Sequence, residues 1–233
     1  MTNPALRDIA SFRDRFAIFE HLTYINSCSQ GALSTEVAAA YEDYLGGLRR
    51  HGSPWEEWVG VQEDVRVLLA SILGAQVSEV AVTSSASAAV NAIASSFDFA
   101  NGPSTIVTTD MEFPTIGQIW HAQERRGAHV VHVPAGDSGV VSPESIAAAI
   151  SADTALVSIT HACYRNGAMN DVAAIVETAH AHGVPVLVDA YQTVGAIPIN
   201  FAELGADFLV GGALKYMLSS AGVGFALVNS ATT

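Results

Sequence analysis

The sequence predicts an α/β fold in which a mainly parallel, seven-stranded sheet carries helices on both faces. Seven short apolar runs of strand character alternate with helical segments, an order that favours parallel pairing through helical crossovers over hairpins. Two of those runs end in polar residues, at Asp189 and at HACYRNGAMND, as expected where strand ends of an open sheet face a ligand. Half of the 233 residues are hydrophobic and only 14% are charged, enough for a proper core with part of the surface left for an interface.

Taken in order, residues 1–22 read as an amphipathic arm, with Ile9, Phe12, Phe16 and Phe19 at helical intervals, expected to pack on the body or on a second subunit. TYINSCSQGALS is expected to be a short strand that turns into a loop before a helix beginning near Ser34. Helical patterns cover 34–50 and 55–73. Between them HGSPW supplies Ser53 as a cap and Pro54 as a first helical residue. Trp55 and Trp58 read as core or interface. A strand at 79–83 runs into SSASAAVNAIASS, a small-residue turn that opens a helix. Strands follow at 105–109 and 128–134, then a helix from about Pro143, a strand at 154–161 and a capped helix from Asn170 to His182. VPVLVD, ADFLVGG and VGFALV complete the sheet. The expected division is an arm and helix over 1–50 and a large domain over 51–233.

The net charge of −13 weighs against nucleic acid and anionic membrane surfaces as partners. No apolar run is long enough to span a bilayer, and MTNPALRDIASFRDRF has no apolar core of the kind a signal peptide needs. Cys28 and Cys163 make neither a disulfide framework nor a metal site, and His129 and His132 have no ligand-like spacing with another metal-binding residue. A cytoplasmic protein without a metal is expected.

The chemistry concentrates late in the chain. Lys215 is the one lysine among ten basic residues. Unlike arginine, a partly desolvated lysine can lose its proton and act as a nucleophile; the plain alternative is a solvated surface amine. Asp189 ends an apolar strand, where it serves either a ligand or a turn. An anion near one end of a ligand and an amine near the other suit pyridoxal phosphate, whose ring nitrogen and aldehyde need those partners. SSASAAVN combines small residues, hydroxyls and a helix start, which together make a phosphate seat or simply a cap. Phe113, read alone, is a core residue. No strand is followed by G-x-G-x-x-G, which argues against a dinucleotide.

VDAYQTVGAIPIN, then ADFLVGGALKY, then AGVGFALV resembles the cofactor-binding core of the class V aminotransferase and cysteine desulfurase superfamily, within the fold-type I pyridoxal phosphate enzymes. The resemblance extends over roughly residues 20–228. It implies that Lys215 joins pyridoxal 5'-phosphate as a Schiff base and serves catalysis, that Asp189 pairs with the pyridine nitrogen, and that Gln192 bonds the phenolic oxygen. TSSASAAVN matches the family's phosphate turn and puts Ala86 and Ser87 at the phosphate. Phe113 stands where relatives stack a histidine on the ring, and Tyr164 where they carry an asparagine; Arg165 and Asn166 are its neighbours. Asn26, Ser27 and Ser29 match a loop on the substrate side. An amino acid or amine substrate, amino transfer or carbon–sulfur lyase chemistry, and a homodimer are implied with these.

The pattern departs from the family in two places. Gly212 and Leu214 replace a serine and a histidine that contact phosphate, which shifts that task to Ser87, backbone amides or a partner subunit. The chain also stops after VGFALV, so the small C-terminal domain of relatives is expected to be missing, together with its substrate-binding arginine and the desulfurase cysteine loop. A fragment, a site completed by another chain, or a non-catalytic domain serving assembly are the alternatives that follow.

Overall fold

The computed structural model describes residues 9–232. In chain order the elements are α1 (Ile9–Arg13), α2 (Thr35–His51), α3 (Trp55–Leu73), β1 (Val80–Thr83), α4 (Ala86–Ser95), β2 (Thr105–Thr109), α5 (Pro114–Ala122), β3 (His129–Val133), α6 (Pro143–Ala149), β4 (Thr154–Thr160), α7 (Val172–Ala181), β5 (Val186–Asp189), α8 (Phe201–Leu204), β6 (Phe208–Gly212) and β7 (Gly224–Val228). The seven strands form one sheet in the order β1-β7-β6-β5-β4-β2-β3. The pairings β2–β3, β2–β4, β4–β5 and β5–β6 are parallel. β7 alone runs antiparallel to both neighbours. The link between β6 and β7 is too short for a helical crossover, so the chain returns in the opposite direction.

Alternation along the strands separates the core into two layers. Val107, Val157, Val186 and Val188 turn towards Leu69 and Leu73 of α3, Ile146 of α6 and Ile175 of α7. Their neighbours Ile106, Leu156 and Leu187 turn the other way, towards Val90 and Ile93 of α4 and Trp120 of α5. Burial of each such aliphatic side chain stabilises the fold by about 1.5–3 kcal/mol, which makes the central strands the rigid frame. Trp120 is fully buried, and its indole N–H donates to Ser158 Oγ at 2.9 Å, so its polar edge is satisfied within that layer.

Four local expectations change. The first eight residues of the arm lie outside the described residues; beyond them the chain forms only the short α1 and a 3₁₀ turn at Ala17–Glu20. Phe16 is buried between Phe12 and Phe19, with Phe12 left partly exposed. TYIN forms no strand, because both sheet edges, β1 and β3, lie elsewhere. Ser53 does not cap α3: Pro54 is the N-cap residue, with ψ at 71° and no side-chain cap, and Glu56 and Glu57 complement the exposed amides instead. α7 is capped by Asp171 rather than Asn170. The Asn170 side chain is drawn inward, accepting from the Val141 amide and donating to Thr160 O, and so ties α7's start to β4.

Candidate active site

Parallel strands present their carboxyl ends together, and the site forms there. Asp189 ends β5 and aligns with Thr160, the end of β4. By alternation Asp189 shares the face of Leu187, the side covered by α4 and α5. Its carboxylate is buried and accepts the Tyr191 amide at 3.0 Å. A cavity of about 470 Å³ opens over it, lined by Asp189, Gln192 and Lys215, by Ala86 and Ser87 of α4, and by Phe113 and Tyr164. The amine and the carboxylate therefore face one space, although 26 positions separate them in the chain (215 − 189).

Lys215 is half-buried. Its Nζ lies 4.5 Å from the Tyr191 ring centroid and 5.5 Å from that of Phe113. Burial pushes the amine below its ordinary range, opposed chiefly by the negative field of Asp189. Burial likewise pushes the Asp189 carboxyl up, opposed by the Tyr191 amide and by Lys215. Each group thus finds its counter-charge across the cavity, while desolvation moves both towards neutrality. Tyr191 reaches this position because Gly212 has no side chain: a Cβ there would lie 2.6 Å from the Tyr191 ring.

The start of α4 supplies the other end of the cavity. Ser85 is the N-cap and its Oγ accepts the Ala88 amide, which leaves the Ala86 and Ser87 amides at the positive end of the helix dipole. These amides can bind an anion. Gly224, the first residue of β7, lies directly against Ser85, and a Cβ there would overlap that backbone. Gly212 and Gly224 therefore act sterically, letting Tyr191 and the start of α4 close in.

The substrate-side loop divides. Ser29 and Cys28 line the cavity, whereas Asn26 and Ser27 do not. Asn26 makes the turn instead: its carbonyl accepts the Ser29 and Gln30 amides, and its Oδ1 accepts Cys28 Sγ at 3.5 Å. The loop is held over the site by Gly31, whose amide donates to Leu214 O, and by Gln192, whose Nε2 donates to Cys28 O at 3.0 Å. One of the two Gln192 N–H groups is thus committed to the loop. Tyr164 packs edge-on against Phe113 with centroids 5.0 Å apart. Arg165 donates to Asp110 O, and neither it nor Asn166 is part of the lining.

Several lining residues escape sequence reasoning. Tyr191 sits inside the VDAYQ motif, yet nothing local says that its ring turns under Lys215. Thr160 and Ala162 flank His161 at the end of β4, and Leu214 precedes Lys215. Glu112 is more deeply hidden: it neighbours Phe113 in sequence but is 7% exposed and bonded to β4.

Residues 31–233 match the family model for aminotransferase class V. The chain is 37% identical over 217 residues to an uncharacterized aminotransferase, YcbU, of Bacillus subtilis strain 168, covering 93% of this chain and 58% of that protein. It is 30% identical to a kynureninase of Geobacillus thermodenitrificans strain NG80-2, covering 88% of this chain and 51% of that one. Among solved structures, a C-DES mutant with glycine covalently linked to the PLP cofactor superposes with a TM-score of 0.86 at 24% identity, over 94% of this chain and 60% of that chain. The chain accordingly spans between half and three-fifths of the length of these relatives. With the sheet order, the cavity and this match together, the chain belongs to the class V aminotransferase family of pyridoxal phosphate enzymes.

Proposed function

We propose that the chain forms the cofactor-binding part of a pyridoxal phosphate enzyme that acts on an amino acid or amine, by amino transfer or carbon–sulfur lyase chemistry. The carrying observation is that Lys215, Asp189 and the start of α4 line one cavity, with an amine, a carboxylate and free helix amides at separate points of its wall. That donor set suits a molecule with an aldehyde, a ring nitrogen and a phosphate. Pyridoxal phosphate, when bound, supplies a sink for the negative charge that develops at a substrate α-carbon.

The chain's own groups divide the remaining work. Lys215 would hold the aldehyde through Nζ, a role its lowered basicity favours, and the same amine would carry the proton at a substrate's α-carbon. Asp189 would hold the ring nitrogen in its protonated form. Ala86 and Ser87 would take the phosphate through amides and the Ser87 hydroxyl. Phe113 would pack against the ring, braced from the side by Tyr164. Gln192 has a second N–H that would serve the phenolic oxygen while its first fixes the loop. Ser29 contacts the substrate, and Asn26 and Ser27 shape the turn that presents it. The same reading places the protein in a reducing cytoplasm, consistent with the free thiols of Cys28 and Cys163.

The test is direct. Pyridoxal phosphate is added, the visible absorbance is recorded, the adduct is reduced with borohydride, and peptides are mapped. Label on Lys215 is expected; label on another amine, or none, ends the reading. We also propose a homodimer, supported by the apolar surface that α2 and α3 expose, including Tyr44, Trp55, Val67 and Leu68. Light scattering behind size exclusion should report twice the chain mass.

A further inference from the structure

Behind the cavity lies a second carboxyl that the function above leaves unused. Glu112 sits in the turn between β2 and α5 and is 7% exposed. Its Oε1 accepts two hydrogen bonds, from Thr109 Oγ1 at 3.0 Å and from the Thr160 amide at 2.7 Å. Its Oε2 is buried and meets no hydrogen-bonding partner among the described residues. None of the ion pairs among the described residues includes it.

Two features of this arrangement identify its ionisation state. Both bonds converge on one oxygen, as befits the carbonyl oxygen of a protonated acid, with the proton on the other. A buried carboxylate with no cation and one bare oxygen is far costlier than a neutral acid with one unpaired hydroxyl. The surroundings reinforce this. Burial pushes the Glu112 carboxyl well above its ordinary range, and Asp189 on β5 and Cys163 after β4 add to it against the bonds from Thr109 and Thr160. Lys215 acts on Asp189 from the far side of the cavity. Two neighbouring carboxyls cannot both ionise cheaply in such a site.

The position also matters. Thr160, whose amide Glu112 holds, is the β4 residue aligned with Asp189 on β5. Glu112 is thus one residue away, through the sheet, from the group that pairs with the ring nitrogen. We propose that Glu112 is a positioning residue for Asp189: a neutral acid that ties the end of β4, where Thr160 aligns with Asp189, to the turn after β2, and leaves Asp189 the one carboxylate available to a protonated ring. The inference rests on the reading of the cavity as a pyridoxal phosphate seat.

Carbon-13 NMR of the apo protein, labelled at glutamate side-chain carboxyls, reads the acid directly. One carboxyl, missing from Glu112→Gln, is expected to stay protonated at neutral pH. Pyridoxal phosphate is then titrated and followed by absorbance. Glu112→Gln keeps a carbonyl acceptor without charge and is expected to bind within about threefold of the parent; Glu112→Ala loses both bonds and weakens binding about tenfold or more. A Glu112 carboxyl ionised at neutral pH overturns the proposal, as does Glu112→Gln proving as damaging as Asp189→Asn. Failure of the parent protein to bind pyridoxal phosphate defeats the cofactor reading instead, and the NMR signal, taken without cofactor, still decides whether Glu112 is neutral.

Discussion

Around the cavity, acids are buried: Asp189 is 5% exposed and Glu112 7%. On α2 and α3 the reverse holds, with Trp55 at 68% and Leu68 at 60% exposure. Both regions run against the usual partition of polar and apolar groups. The difference lies in what relieves each one. The cavity acids have internal relief, through the Tyr191 amide at Asp189 and the Thr109 and Thr160 bonds at Glu112, and they lie at the edge where ligands of open sheets bind. The α2–α3 side chains have no such relief within the described residues beyond contacts among themselves, such as Trp55 against Trp58 and Tyr44 against Trp58. Buried acids point to chemistry, and exposed apolar surface points to a partner.

The sharpest way to break this contrast is Lys215→Arg, which keeps a cation in the cavity but removes the amine that can become neutral. Turnover of any substrate found is expected to fall by at least about 10²–10⁴-fold, the scale of a lost proton-transfer group, with borohydride labelling abolished. Survival of labelling would separate the amine from the chemistry. Next in size is Gly212→Val. Its Cβ would meet the Tyr191 ring at 2.6 Å, so the substitution should destabilise the fold by about 1–3 kcal/mol in denaturant titrations and displace the wall under Lys215.

Acidity and basicity sharpen the comparison inside the cavity, because burial acts on both signs of charge. The Glu112 pKa is raised in the folded protein, so the folded state holds a proton that the unfolded chain releases near its ordinary value of 4.5. That contribution is present below 4.5 and lost as pH rises through the folded value. The Lys215 pKa is lowered, so between its folded value and 10.5 the unfolded chain binds the extra proton and stability rises with pH. Denaturation midpoints of the parent against Glu112→Gln and Lys215→Met, taken across pH, should therefore diverge in opposite directions. The smallest expected effect on folding comes from the other region. Val67→Ser with Leu68→Ser should change stability by only about 0.5 kcal/mol per site yet lower the mass seen by light scattering.

Much of the fold was legible because period carries it. The strands at 105–109 and 154–160 and the helix at 55–73 fall where their apolar patterns place them. The start of α2 was also legible, near Ser34, whose Oγ accepts the Val37 amide. Asn170 was misread as a cap because its type suits one, while its partners, Val141 and Thr160, come from distant strands and turns. Ser53 failed for a local reason: Pro54, with ψ at 71°, itself takes the N-cap place, one residue later. In the site, Lys215 and Asp189 stood out by scarcity and by place. Tyr191 and Glu112 did not, since their roles depend on which atoms approach them from other elements.

By itself the sequence determined the alternation of strands and helices, the sheet's hydrophobic layers, and the residue types for a cofactor at the strand ends. Those properties depend on spacing along one chain and on the chemistry of single side chains. Tertiary structure decided that β7 turns back, that Asn26 builds the loop while Ser29 faces the cavity, and that Tyr191 lies under an amine. It also decided which of two buried carboxyls meets the cavity. Such outcomes follow from close packing and desolvation, which act between atoms that sequence distance does not relate.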